Sequence, residues 1–116
     1  MLPLNLDELV QEWLTCSYTD DRWGRLDDAP FDDPETAWRG ILAILQHELT
    51  ERQMSVLAAG MVENLLSENG EQFIDRVETE AIQNPRFQYL LGGVRRCGMV
   101  ERVWARVQKA RKEVWQ

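Results

Sequence analysis

The chain has 116 residues, 44% apolar and 28% charged, the make-up of one globular domain able to bury a core without metal or disulfide staples. Its formal net charge is −7, and residues 1–50 carry eleven acids against three bases, which argues against general binding to nucleic-acid phosphates. No segment is long and apolar enough to cross a membrane, "MLPLNLDELV" lacks the basic start of a signal peptide, and Cys16 and Cys97 form no CxxC, so reduced thiols in the cytoplasm are expected.

The first helix is predicted over about residues 6–17. Asn5 is its N-cap, Asp7 and Glu8 suit its first turn, and Leu6, Leu9, Val10, Trp13 and Leu14 recur at helical spacing. "TDDRWGRLDDAPFDD" follows, and its Asp-Asp pairs, glycine and proline predict a structured acidic loop over 18–33 with one short turn. A second helix opens on Asp33-Pro34-Glu35 and lines Trp38, Ile41, Leu42 and Leu45 along one face. Thr50 and Gln53 form a T-x-x-Q capping box for a third helix, whose stripe is Met54, Leu57, Ala58, Met61, Val62 and Leu65. Asn69-Gly70 reads as its stop. A fourth helix turns Phe73, Ile74, Val77 and Ala81 inward, and Asn84-Pro85 starts a short fifth that runs to about Leu91. Gly92-Gly93 breaks it. A basic amphipathic helix over 99–114 closes the chain, with Met99, Val100, Val103, Trp104 and Val107 as its stripe. No run alternates like a strand. The expectation is an all-α single domain of five or six helices packed as antiparallel hairpins, with HEAT-like stacking of the middle helices left open.

Glu63 and Asn64 stand among the most apolar residues of the third helix. Glu63 lies two residues past Met61, about 200° round a helix, so it is expected away from the inward line, with Asn64 nearer its edge. Their structural role would be to bond a neighbouring helix end or loop amide.

"DDPETAW", "GMVENLLSENG" and "IDRVETEAIQNPRFQYLLGGV" resemble a family of small bacterial helical domains of unknown function, over roughly residues 33–94. The shared pattern is a D-P-E-x-A-W helix start, an L-E-D/N-L-L segment with a glycine shortly after, and an A-x-x-x-P-x-F-x-x-x-L-G close. Here Val62 replaces the leucine and Asn64 the commoner aspartate. The resemblance implies a fold and a bacterial origin, and it marks Trp38, Glu63, Asn64 and Phe87 as motif positions with no role attached.

Residue patterns for chemistry are weak. His47 is the one histidine, and "HELTE" puts Glu51 where a zincin needs its second histidine. The aspartate pairs lack the spacing of an EF-hand loop, so no metal and no cofactor are expected. "GGVRRCG" could clamp a phosphate through Arg95 and Arg96, or be a turn with surface arginines. The last helix could touch another molecule, or pack its Trp-Val face on the core and balance the acidic front. The expected function is a non-enzymatic binding domain, of an inhibitor or immunity type. Asp20, Asp21, Asp27, Asp28 and Asp32 would steer in a basic protein partner, and Trp23 and Phe31 would anchor it. The alternatives are a small enzyme with a site near Glu63, His47 and Arg95, or a structural homo-oligomer.

Overall fold

Four helices begin where the sequence supplies a cap. In the computed structural model, which describes residues 5–16, 24–112, 114 and 115, the Glu8 amide donates to Asn5 Oδ1 at 2.9 Å and opens α1 (Leu6–Cys16). After a 3-10 turn (Arg25–Asp28) and the short α2 (Ala29–Asp32), Asp33 Oδ1 accepts the Thr36 amide at 3.3 Å and starts α3 (Pro34–Leu45). The Thr50–Gln53 capping box is complete, with bonds of 2.9 and 3.0 Å, and starts α4 (Glu51–Leu57). Asn84 Oδ1 accepts the Phe87 amide at 3.3 Å and starts α6 (Pro85–Leu91). Such bonds satisfy amides that no helix can satisfy by itself. Between α4 and α6 run a π-turn (Ala58–Val62) and the long α5 (Glu63–Gln83); α7 (Glu101–Ala110) comes last. Among the described residues there is no strand, and the all-α class holds.

Three expectations are corrected. First, the described part of the acidic segment is not a loop with one turn; it is wound into the 3-10 turn and α2. Second, Asn69-Gly70 does not stop a helix. Asn69 (φ −137°, ψ 27°) kinks α5, its side-chain amide donates to the Pro30 carbonyl at 2.9 Å, and Gly70 is buried against α7. A Cβ on Gly70 would stand 2.8 Å from Val103 Cγ1, so this glycine serves a close helix approach. Third, the basic helix ends at Ala110, and Val100 is exposed because it precedes the first turn in extended backbone (φ −67°, ψ 152°). Past Arg111 the chain folds back. The Trp115 amide donates to the Gly92 carbonyl at 2.9 Å and its indole to the Tyr89 carbonyl at 3.0 Å, while a Cβ on Gly93 would overlap the ring. The bare Gly92-Gly93 backbone thus seats the tail. α7 packs along α5, with which it is not consecutive in the chain. From Gly70 with Val103 and Glu71 with Arg102 the contacts move on to Glu78 with Arg106, so the two helices run in the same direction.

One core joins these helices. Trp13, Ile41, Leu57, Phe73, Phe87, Leu90 and Val107 are fully enclosed. Trp38 packs edge-on against Phe87, with ring centroids 5.5 Å apart at 75°, and tilted against Phe73 at 6.1 Å. Such offset aromatic pairs add about 1 kcal/mol each beyond their burial. Two of the motif positions, Trp38 and Phe87, are therefore core partners of one another.

Candidate functional site

The acidic segment is pinned at four points. Where its described part begins, Gly24 takes a positive φ of 91°, and the next residue clamps α1: the Arg25 amide donates to Glu12 Oε1 at 2.7 Å and its guanidinium to Glu12 Oε2 at 2.8 Å. The side-chain bond from Arg25, helped by its amide, holds the Glu12 carboxyl below the usual carboxylate range. Leu26 is buried against Gly40 of α3, where an added Cβ would meet Leu26 Cδ2 at 3.1 Å. The Asn69 bond to Pro30 ties α2 to the kink of α5, and the Asp33 cap ends the segment.

With Leu26, Ala29 and Pro30 buried, the other positions turn outward. Asp28 and Asp32 are exposed, and Phe31 is 55% exposed. Spacings of three and four residues put Asp28, Phe31 and Asp32 on one face. Asp27 is half-buried and engaged within the protein. Asp20, Asp21 and Trp23 lie outside the described residues. No group of three or more His, Cys, Asp or Glu among the described residues is arranged to hold a metal ion.

The basic residues of α7 do not cover this face. Arg102 pairs with Glu71, and Arg106 with Asp75 at 2.6 Å and with Glu78, all on α5. The expected balance with the acidic front is replaced by this ladder, because the Gly70–Val103 contact lays α7 along α5. The Arg106 side-chain bond holds the Glu78 carboxyl below the usual range.

Glu63 is buried, 5% exposed, against the expectation drawn from helical phase. The cause is the π-turn. The Glu63 amide reaches back to the Ala58 carbonyl, five residues away, and the wider turn brings Met61, Val62 and Glu63 inward together. Its Oε2 accepts the Arg95 amide at 3.1 Å, the loop-amide bond expected of a structural residue. Asn64 lies half-buried beside it. His47 is exposed and lines a cleft with Leu14, Thr15, Glu48 and Gln53, to which Glu63 and Arg95 contribute nothing. Arg96 pairs with Glu101 at 2.7 Å and donates to the Met99 carbonyl, as a surface arginine at a turn. Cys97 is an exposed free thiol whose carbonyl accepts the Ser67 hydroxyl. Among the described residues no helix is long and apolar enough to cross a membrane.

Sequence reasoning missed an exposed apolar strip around α6. Its signal was Ile82, which follows the inward Ala81 and falls off the Phe73-Ile74-Val77-Ala81 stripe.

No curated protein and no solved structure matches the chain. The profile of one family, described as a family of unknown function (DUF6869), matches residues 16–114, well beyond the 33–94 span of the motif residues. The chain therefore belongs to the DUF6869 family.

Proposed function

We propose that the chain is a protein-binding domain, a bacterial cytoplasmic protein of the inhibitor or immunity type, that captures a basic partner through its acidic face. The observation that carries this reading is Phe31, half-exposed between the exposed carboxylates of Asp28 and Asp32 on the stretch from Arg25 to Asp33, which is held at both ends. An aromatic ring on a fixed backbone loses little conformational freedom on burial, which suits an anchor. Carboxylates at its rim raise the rate of encounter with a basic surface and reject acidic ones. Two of the bases of α7, Arg102 and Arg106, are committed to α5 instead of to this face.

The test is affinity capture from the source organism, with wild-type protein beside a Phe31→Ser/Asp28→Lys/Asp32→Lys variant. A basic protein should be held by the wild type in a salt-dependent way. The variant should bind it roughly 30-fold more weakly, the loss expected for one anchor worth about 2 kcal/mol, with an unchanged melting temperature. Equal retention of every captured protein by both forms would overturn the reading.

A further inference from the structure

The surface of α5 is interrupted at Asn69. The non-helical backbone there (φ −137°, ψ 27°) offsets two stretches of the helix, and Gly70 beside it has no side chain to fill the step. A cleft of about 330 Å³ lies at this kink, between α5 and the start of α7. Leu66, Val100 and Val103 give it apolar walls, and Val100 is 54% exposed. Two carboxylates, Glu68 and Glu71, line it, and no base does. Asn69 lines it too, and its side-chain amide donates to the Pro30 carbonyl at 2.9 Å, one residue before Phe31. Through this bond the cleft adjoins the Asp28-Phe31-Asp32 face.

The charges around the cleft specify what enters it. Glu71 is paired with Arg102, and Arg96, on the connection before α7, is paired with Glu101. Arg95 meets Glu63 through its amide, a turn earlier along α5, and does not line the cleft. Glu68 is exposed and, like Asp28 and Asp32, forms no ion pair among the described residues. The joined surface therefore keeps three carboxylates that no base meets. An apolar trough with a free carboxylate beside it matches a lysine or arginine, whose methylene stem buries on apolar surface while its charge stays near water. We infer that the cleft is a specificity pocket for one lysine or arginine side chain of the basic partner that Phe31 anchors. The stem lies on Leu66 and Val100, and the charge meets Glu68. This deepens the reading of the acidic face as a protein-binding surface and rests on it. A second copy of this chain would bring its own net charge of −7 and be repelled at long range.

Two forms of the full chain test this in cells of the source organism, one with the photo-cross-linker p-benzoylphenylalanine at position 31 and one with it at position 100. The first keeps an aromatic ring, and the second alters an exposed side chain that precedes the first turn of α7. Both should link to the same basic protein, and the segment linked from position 100 should contain a lysine or arginine. Glu68→Arg should cut both yields about fivefold, as for one rim ion pair turned repulsive, and Glu68→Gln, which keeps the shape, about twofold. The inference is overturned, and the binding face left standing, if position 31 alone links to a basic protein. It is likewise overturned if position 100 links to a second copy, to a different protein or to a segment without a base, or if both Glu68 variants leave the yields unchanged. No link from position 31 would overturn both readings together.

Discussion

Replacing Glu63 with alanine separates a structural carboxylate from a chemical one. Its Oε2 holds the Arg95 amide at 3.1 Å from a position only 5% exposed, and so fixes the 94–100 connection against the π-turn. A hydrogen bond to a charged group contributes about 1.5–3 kcal/mol, and its loss costs most where water cannot replace it. Arg95 is exposed, so water can reach its amide in the variant, which sets the expected loss near 2 kcal/mol. For a chain of this length, with about 4 °C per kcal/mol, the melting temperature should fall by about 8 °C. Glutamine keeps a carbonyl acceptor but no charge, and should cost about half as much. Thermal unfolding measures both, and amide hydrogen exchange locates the effect. Arg95 should lose protection, while Trp104, whose amide bonds the Val100 carbonyl at 3.0 Å, should keep it. An alanine variant that melts within about 2 °C of the wild type, with the Arg95 amide still protected, would refute the anchoring role.

Two further outcomes follow from packing and charge. Gly70→Ala gains about 1 kcal/mol of helix propensity but drives a methyl into Val103, at an overpacking cost of about 1–3 kcal/mol; the net should be destabilising, and Val103→Ala should reverse its sign. Urea titration of the double-mutant cycle measures the coupling, and simple additivity would remove the close contact from the account of why α7 lies there. Glu12 and Glu78 are both depressed below their ordinary value of 4.5 by arginine partners. A depressed carboxyl stabilises the fold above its unfolded value, and that contribution disappears as the pH falls through the folded one. Melting curves taken from neutral pH down through 4.5 and below should therefore fall more gently for Glu12→Gln/Glu78→Gln than for the wild type, and parallel curves would refute the assignment.

What could be read from the sequence was local. A cap is decided by four adjacent residues, and Asn5, Asp33, Thr50 with Gln53, and Asn84 each start the helix expected of them. The stripes that carry Trp38, Ile41, Phe73 and Val77 are likewise periodic over one helix and are buried. What could not be read depends on distant partners. Asn69-Gly70 has the composition of a stop, but the Pro30 carbonyl and the Val103 side chain, 39 and 33 residues away, turn it into a kink within a continuous helix. The π-turn adds a residue to one turn and so invalidates a helical phase counted from Met61; no feature of Ala-Ala-Gly-Met-Val announces it. The tail repeats the lesson. Val107 to Trp115 keep helical composition, and yet the glycine pair at 92–93 offers Trp115 a seat that helix continuation would forfeit.

These placements also bear on where function resides. The motif positions behind the family resemblance are structural where the structure describes their contacts: Trp38 and Phe87 pack on each other, and Glu63 holds a loop amide. A chain can therefore carry this motif because it folds this way, and sharing it implies a shared scaffold and no shared partner. The side chains free to meet another molecule, Phe31 on α2 and Ile82 and Tyr89 around α6, occupy helix positions that the core does not use. Changing them leaves the packing of Trp13, Phe73 and Phe87 intact, so partner choice can vary on this scaffold at little cost in stability.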